Sequence, residues 1–352
     1  MAALLHYADR QLRRERIFRD RLNPLDTHTD EELVSRYRLD RTSILHVINC
    51  INDDLETATY RSKSLPSPVQ VLIALRYYAT GSFQKLIADA HGVSVPSVSR
   101  VIHRVSRAIT TCIDDKLSIN FPSSMEDINS TKEGFYQIAG FPNVVGTIDG
   151  TQVAIIAPSG ENEPLFVCRK GFHSINVQAT ADSKLRLTSV LAKFPGSAHD
   201  SYILQQSGVT RKMVEDRMTG SKSVLLGDSG YPLKTWLMVP FTNPNSRAEE
   251  RYNNAHKRTR CTVERAFGVL KSRFRCIHHK SGGCLMYVPQ KCVNIIIAVC
   301  KLHNLCITNN LPLPEVEPDD IEDHNPVNQN PHVQNLNATT FRNNLVRQRF
   351  VI

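Results

Sequence analysis

The hydrophobic period of this chain changes near residue 140, and that change limits the folds open to it. Up to about Ile138 apolar residues recur at helical spacing. TDEELVSRYRL opens with a Thr cap, acidic residues and an apolar stripe, the signature of a helix start. SPVQVLIALRYYATG reads as an apolar helix closed by Gly81. SFQKLIADAHG and VSVPSVSRVIHRVSRAITTCI read as two more helices around a turn at Gly92. Helix, short glycine turn, helix is the helix-turn-helix pattern, here over about 67–112, although a plain helical hairpin has the same signature. In a DNA-binding version the second helix, with Ser97, Ser99, Arg100 and His103, would enter a groove.

From about 140 to 308 the pattern becomes mixed. VVGTIDGTQVAII is a β-type run interrupted by Asp149-Gly150. FHSINVQATADS and LRLTSVLAKFPG read as a hairpin. HDSYILQQSG reads as a short helix and SVLLGDSGYP as a buried strand ending at Gly227-Asp228. A polar irregular stretch follows, then the helix holding Glu264, then the apolar helix VPQKCVNIIIAVCKLHNLCI. The expected architecture is an α/β mixed sheet flanked by helices, with an all-α N-terminal region over 1–138 and the α/β domain over 140–308. Residues 309–352 begin with a Pro-, Asn- and acid-rich stretch that reads as a flexible tail, and TTFRNNLVRQRFVI at their end reads as one short helix.

Composition supports a large core: of 352 residues 41% are hydrophobic and 22% charged. No apolar run reaches the roughly 18–20 residues that span a bilayer, since Asn294 and Lys301 interrupt the longest, so no membrane association is expected. The N-terminus lacks the pattern of a secretory signal. Nine cysteines without tight pairing argue against a disulfide scaffold. Cys292, Cys300, His303 and Cys306 lack paired zinc-ligand spacing, as do Cys276, His278, His279 and Cys284, and buried thiols are the simpler reading.

Carboxylates carry the chemistry. Asp149 stands inside a strand pattern, where an Asp is a poor strand former and costly to bury unpaired. Asp228 ends a strand, where open α/β sheets place their sites. Asp200 follows His199 at a helix start, a position that Asp also fills for structural reasons. On a helix over 257–275, Val263, Phe267, Leu270 and Phe274 form the buried stripe. Arg260, Glu264, Lys271 and Arg275 fall beside it. As a surface ion-pair partner Glu264 contributes about 0–1 kcal/mol. As a third carboxylate beside Asp149 and Asp228 it completes a hard-oxygen site for Mg²⁺ or Mn²⁺. Spacing alone leaves both readings standing.

Charge adds a second constraint. The formal net charge is +9, and Arg247 to Lys280 holds ten Lys/Arg against three Glu. Such a concentration is the footprint of a nucleic-acid contact, or equally a solvated helix face. Arg260, Lys271, Arg275 and Arg100 are the expected phosphate contacts.

TIDGTQ, PGSAHDSYIL, LLGDSGYPL and VERAFGVLKSRF, in that order, resemble the DDE transposase domain of the PIF/Harbinger superfamily, and the similarity extends to RERIFRDRLNPLD near the start. The resemblance implies an RNase H-like fold and a divalent-metal nuclease acting on DNA in the nucleus, with a cytoplasmic pool. It places the acidic positions at Asp149, Asp200, Asp228 and Glu264, all present. Asp149, Asp228 and Glu264 are the expected catalytic and metal-holding residues, with Asp200 as a further metal or supporting residue. The one departure is Gln152, where relatives often carry His. The resemblance also implies a separate Myb/SANT-like DNA-binding partner that aids nuclear entry, and action as a multimer. Three functions follow from these residues: a metal-dependent DNA nuclease, a catalytically silent DNA-binding adaptor on the same fold, or a scaffold whose basic face binds an acidic partner.

Overall fold

The computed structural model describes residues 24–56, 65–316 and 336–350. RERIFRDRLNPLD and the acidic run after Glu315 lie largely or wholly outside them. The N-terminal region is helical: α1 Pro24–Thr27, α2 Asp30–Tyr37, α3 Arg41–Leu55, α4 Ser67–Thr80, α5 Gln84–His91, α6 Val95–Thr111 and α7 Met125–Ala139. Local chemistry sets the ends. Thr29 and Glu32 form a capping box at α2. Asp40 caps α3 and Ser94 caps α6. Gly81 and Gly92 end α4 and α5 with φ of 64° and 59°, the left-handed conformation that glycine adopts without steric cost. At Gly81 there is also no room for a side chain, because a Cβ would lie 2.9 Å from the Gly282 backbone.

Five strands follow the helical region: β1 Val144–Ala154, β2 Ser174–Ala181, β3 Leu187–Pro195, β4 Val224–Leu226 and β5 Leu237–Met238. Their spatial order is β3-β2-β1-β4-β5, with β1–β2 and β2–β3 antiparallel and β1–β4 and β4–β5 parallel. The expected hairpin is β2–β3. Helices α8 Asp200–Gln205 and α9 Gly208–Met218 connect β3 to β4. Helices α10 Arg247–Arg273, α11 His279–Gly282 and α12 Pro289–Thr308 follow, and α13 Leu336–Arg349 ends the described chain.

Both faces of the sheet are covered, which is why β1 is buried along nearly its whole length. α10 and α12 lie on one face and α8 and α9 on the other. α12 has 20 residues and by length and composition is apolar enough to cross a membrane. Here it is a core helix: Ile295, Ile296, Val299 and Leu302 are at most 1% exposed. It packs on α6 and β3, so the helical region and the sheet share one core. Lys301 of α12 donates to the carbonyls of Ile109, Thr110 and Cys112, closing the C-terminus of α6. Asn304 pairs with both backbone groups of Leu187 and so blunts the β3 edge.

The last part of the chain forms the short helix α13, and Val346 on it and Phe350 just after it pack against Phe141 and Tyr252. Cys292, Cys300 and Cys306 are core thiols, and His303 donates to the Leu185 carbonyl, the packing role that the sequence favours over a zinc site.

Candidate active site

Strand register brings the acids together. Thr147 of β1 pairs with Leu226, the last residue of β4, so Asp149 runs on beside the turn that carries Asp228. Gly227 opens that turn without a side chain, because a Cβ would lie 2.9 Å from the Tyr231 ring. The Gly230 amide donates to Asp228 Oδ1 at 3.0 Å and holds the carboxylate over its own turn.

Asp149 is fully buried. Its Oδ1 accepts from the Gly150 amide at 2.8 Å and its Oδ2 from Arg260 at 2.8 Å. The other terminal nitrogen of Arg260 pairs with Glu264, one turn along α10. Burial works against the Arg260 charge, but Asp149, Glu264 and Asp228 outweigh it, so this guanidinium holds its proton more tightly than an ordinary arginine.

Asp200 approaches from the opposite face. A Cβ on Gly150 would lie 2.5 Å from Asp200 Oδ1, and side chains of neighbouring strand residues point to opposite faces. Gly150 is therefore what lets Asp200 reach the strand. Asn176 of β2 donates to Asp200 Oδ1 at 3.0 Å, and Gln178 donates to its backbone carbonyl and to the Tyr231 hydroxyl, each at 3.0 Å. Tyr231 is wholly buried. Burial first, then the charges of Asp200, Asp149 and Asp228, push its phenol far above the ordinary tyrosine range, so it keeps its proton. Two central groups thus tie the four acids together: Arg260 touches the fields of Asp149, Glu264 and Asp228, and Tyr231 those of Asp200, Asp149 and Asp228.

The donor set suits a hard divalent cation, since every candidate ligand atom is a carboxylate oxygen. Two buried carbonyl oxygens beside it, Asn176 Oδ1 and Gln178 Oε1, have no hydrogen-bond partner among the described residues. The acids do not close to the spacing of a tight ligand set. Among the described residues, only His46, Cys50 and Asp114 bring three such ligand atoms within 4.8 Å of one another. The guanidinium between Asp149 and Glu264 accounts for the wider spacing.

The expected phosphate contacts divide. Arg260 points into the acid cluster, because β1 presents Asp149 on the face that α10 covers. Lys271 is 5% exposed, turned into the protein with the packed side of α10, and does not face solvent as expected. Arg275 is exposed. With Arg38, Arg273 and His278 it lines a cleft of about 570 Å³. Arg100 is exposed on α6, whereas Ser99 bonds Tyr287. Asn176, Gln178 and Tyr231 went unassigned in the sequence. Their signal was there: polar residues at alternate positions of a fully buried strand, and an aromatic inside LLGDSGYPL.

Comparison with known proteins identifies the family. The family described as DDE superfamily endonuclease matches residues 148–304, which contain all four acids. The human protein named "Putative nuclease HARBI1" is 39% identical over 287 residues, 82% of this chain and 80% of its own. The mouse protein of that name is 36% identical over 328 residues, 93% of this chain and 91% of its own. The Arabidopsis thaliana "Protein ALP1-like" is 31% identical over 255 residues, 68% of this chain and 60% of its own. No solved structure matches the chain. With an RNase H-like mixed sheet and this identity over most of its length, the chain belongs to the DDE endonuclease superfamily and is similar to the vertebrate proteins named HARBI1.

Proposed function

We propose that this protein hydrolyses phosphodiester bonds of DNA with a divalent cation, Mg²⁺ or Mn²⁺, held by Asp149, Asp228 and Glu264. The observation that carries this reading is the meeting of these three acids around Arg260, from a central strand, the end of its parallel neighbour and the helix packed on both. Bound there, the cation supplies Lewis-acid stabilisation of charge building on the phosphate and eases deprotonation of the attacking water.

The chain's own groups do the rest. The Gly150 amide and the Gly230 amide fix the Asp149 and Asp228 carboxylates before substrate arrives. Asn176 and Gln178 hold Asp200 against the strand, where it supports the cluster from behind. Protonated Tyr231 adds no charge to an already acidic site. Arg260 neutralises Asp149 and Glu264, and a phosphodiester offers the same guanidinium a competing pair of oxygens. Arg275 and Arg38 along one cleft and Arg100 on α6 would hold backbone phosphates. A Myb/SANT-like DNA-binding partner and a nuclear location with a cytoplasmic pool belong to the same proposal, and co-precipitation and fractionation test them.

A second reading has its own observation. Arg260 already gives Asp149 and Glu264 a cationic partner, as it would in an adaptor that binds DNA without cutting it. Plasmid incubated with the purified protein and Mg²⁺ or Mn²⁺, beside Asp149→Ala and Glu264→Ala, separates the two. Nicking by the wild type that both variants lose, with DNA binding retained, supports the nuclease. Binding with no nicking by the wild type supports the adaptor and sinks the nuclease.

A further inference from the structure

Outside the acid cluster, a second group of ligand-type side chains meets where α3 passes the end of α6. His46 and Cys50 are four residues apart on α3, which stacks them on one helix face. Cys112 and Asp114 lie in the link that ends α6 and enters the 3₁₀ turn Asp115–Leu117. His46 Nε2 is 2.9 Å from Asp114 Oδ1 and 3.5 Å from Cys50 Sγ. The Cys112 thiol lies against the Cys50 backbone carbonyl at 3.8 Å and within reach of the Cys50 thiol.

We propose that His46, Cys50, Cys112 and Asp114 form a tetrahedral site for a zinc-class transition-metal ion, a structural site that ties α3 to the end of α6. Donor chemistry is the first argument. Two sulfurs, one imidazole nitrogen and one carboxylate oxygen form a mixed soft and borderline set, which selects Zn²⁺-type ions over the Mg²⁺ or Mn²⁺ suited to an all-carboxylate site. Geometry is the second. Zinc bonds of about 2.0–2.3 Å at tetrahedral angles put ligand atoms roughly 3.3–3.8 Å apart. The His46–Cys50 separation of 3.5 Å falls in that range, the His46–Asp114 separation of 2.9 Å lies just below it as a direct hydrogen bond, and His46, Cys50 and Asp114 lie together within 4.8 Å.

Access and local competition also fit. Cys112 and Asp114 line a cleft of about 580 Å³, and the His46 and Asp114 side chains are each 27% exposed, so an ion has a route in. The nearby Lys301 ammonium is occupied by three backbone carbonyls. Each thiol that binds the ion releases its proton to solvent. A simpler explanation covers half of the group: Asp114 caps the 3₁₀ turn through the Lys116 and Leu117 amides and pairs with His46. It gives no reason for the Cys50 thiol to join that pair within 4.8 Å, or for a second thiol, Cys112, to lie beside Cys50.

The test uses the full chain, stripped with a chelator and titrated with Co²⁺ as a spectroscopic stand-in for Zn²⁺. The expected result is a single tight equivalent with the intense visible bands of tetrahedral cobalt and a near-ultraviolet thiolate-to-cobalt band, both abolished by added Zn²⁺. Cys50→Ser and Cys112→Ser should lower the thiolate band. They should weaken binding by about tenfold or more, since even removing a residue that supports a ligand costs about 10–100-fold. Cys261→Ser, at the exposed thiol of α10, and Asp149→Asn should leave the signal as it is. The wild-type spectrum decides even if a variant fails to fold. Weak octahedral bands without a thiolate band, or a thiolate band that survives both Cys50→Ser and Cys112→Ser, overturn the proposal.

Discussion

Arg260 crosses from α10 to the central strand and donates to the buried Asp149 at 2.8 Å, while the same guanidinium pairs with Glu264. Two acids and one cation therefore share the point where the sheet, the end of β4 and the long helix meet. The Asp149 side chain is 1% exposed, and there a charge without a partner is expensive.

Arg260→Gln should destabilise the fold by about 3–5 kcal/mol, the usual cost of leaving one member of a buried pair uncompensated. Asp149→Asn should cost less, because Arg260 keeps Glu264. Urea denaturation of the two variants beside the wild type checks the order. Equal stability of the wild type and Arg260→Gln would remove the pair from the account of this site.

Gly150→Ala should displace Asp200. The added methyl would lie 2.5 Å from Asp200 Oδ1 and 3.0 Å from its Cγ, so the carboxylate or the strand has to move. Overpacking of this kind costs about 1–3 kcal/mol. Thermal melts should show that loss, and nicking should fall while DNA affinity stays near the wild-type value.

Stability should fall on acidification between pH 6.5 and about 4. His256 and His303 are both lowered to about 4, in each case first by burial, although each donates to a backbone carbonyl, of Met238 and Leu185 respectively. A base with a depressed folded pKa binds its proton more readily when unfolded, so its neutral form adds stability above the unfolded value that is lost as pH falls toward the folded one. Each contributes roughly 3 kcal/mol on the scale of about 1.4 kcal/mol per pKa unit. Denaturation across this range should show the slope, and His303→Gln should flatten it.

Phosphate contact should follow exposure and not simply charge. Arg275→Ala and Arg100→Ala should each reduce the salt dependence of DNA binding by about one unit of slope. Lys271→Ala, at a side chain 5% exposed, should instead lower the melting temperature and leave the slope unchanged. Fluorescence anisotropy over a salt series separates the two classes. A Lys271→Ala slope as shallow as that of Arg275→Ala would mean that the lysine reaches DNA after all.

What the residues determine by themselves is local. The change of period near 140 marks the passage from helices to sheet, Thr29, Asp40 and Ser94 start helices, Gly81 and Gly92 end them, and an Asp inside a strand pattern announces a site. Each of these depends on neighbours within a few positions, where backbone sterics and nearby hydrogen bonds decide. Tertiary structure decides what meets what. Helical projection sets Arg260 beside Glu264, but only the packing of α10 on β1 turns it toward Asp149, 111 residues away, and turns Lys271 inward. Strand alternation puts Asp200 on the other face from Arg260, and the missing Gly150 side chain lets it approach. His46 and Asp114, 68 residues apart, meet because α3 and α6 share a core. Such meetings depend on burying apolar surface between distant segments, a global balance that no short window of sequence contains.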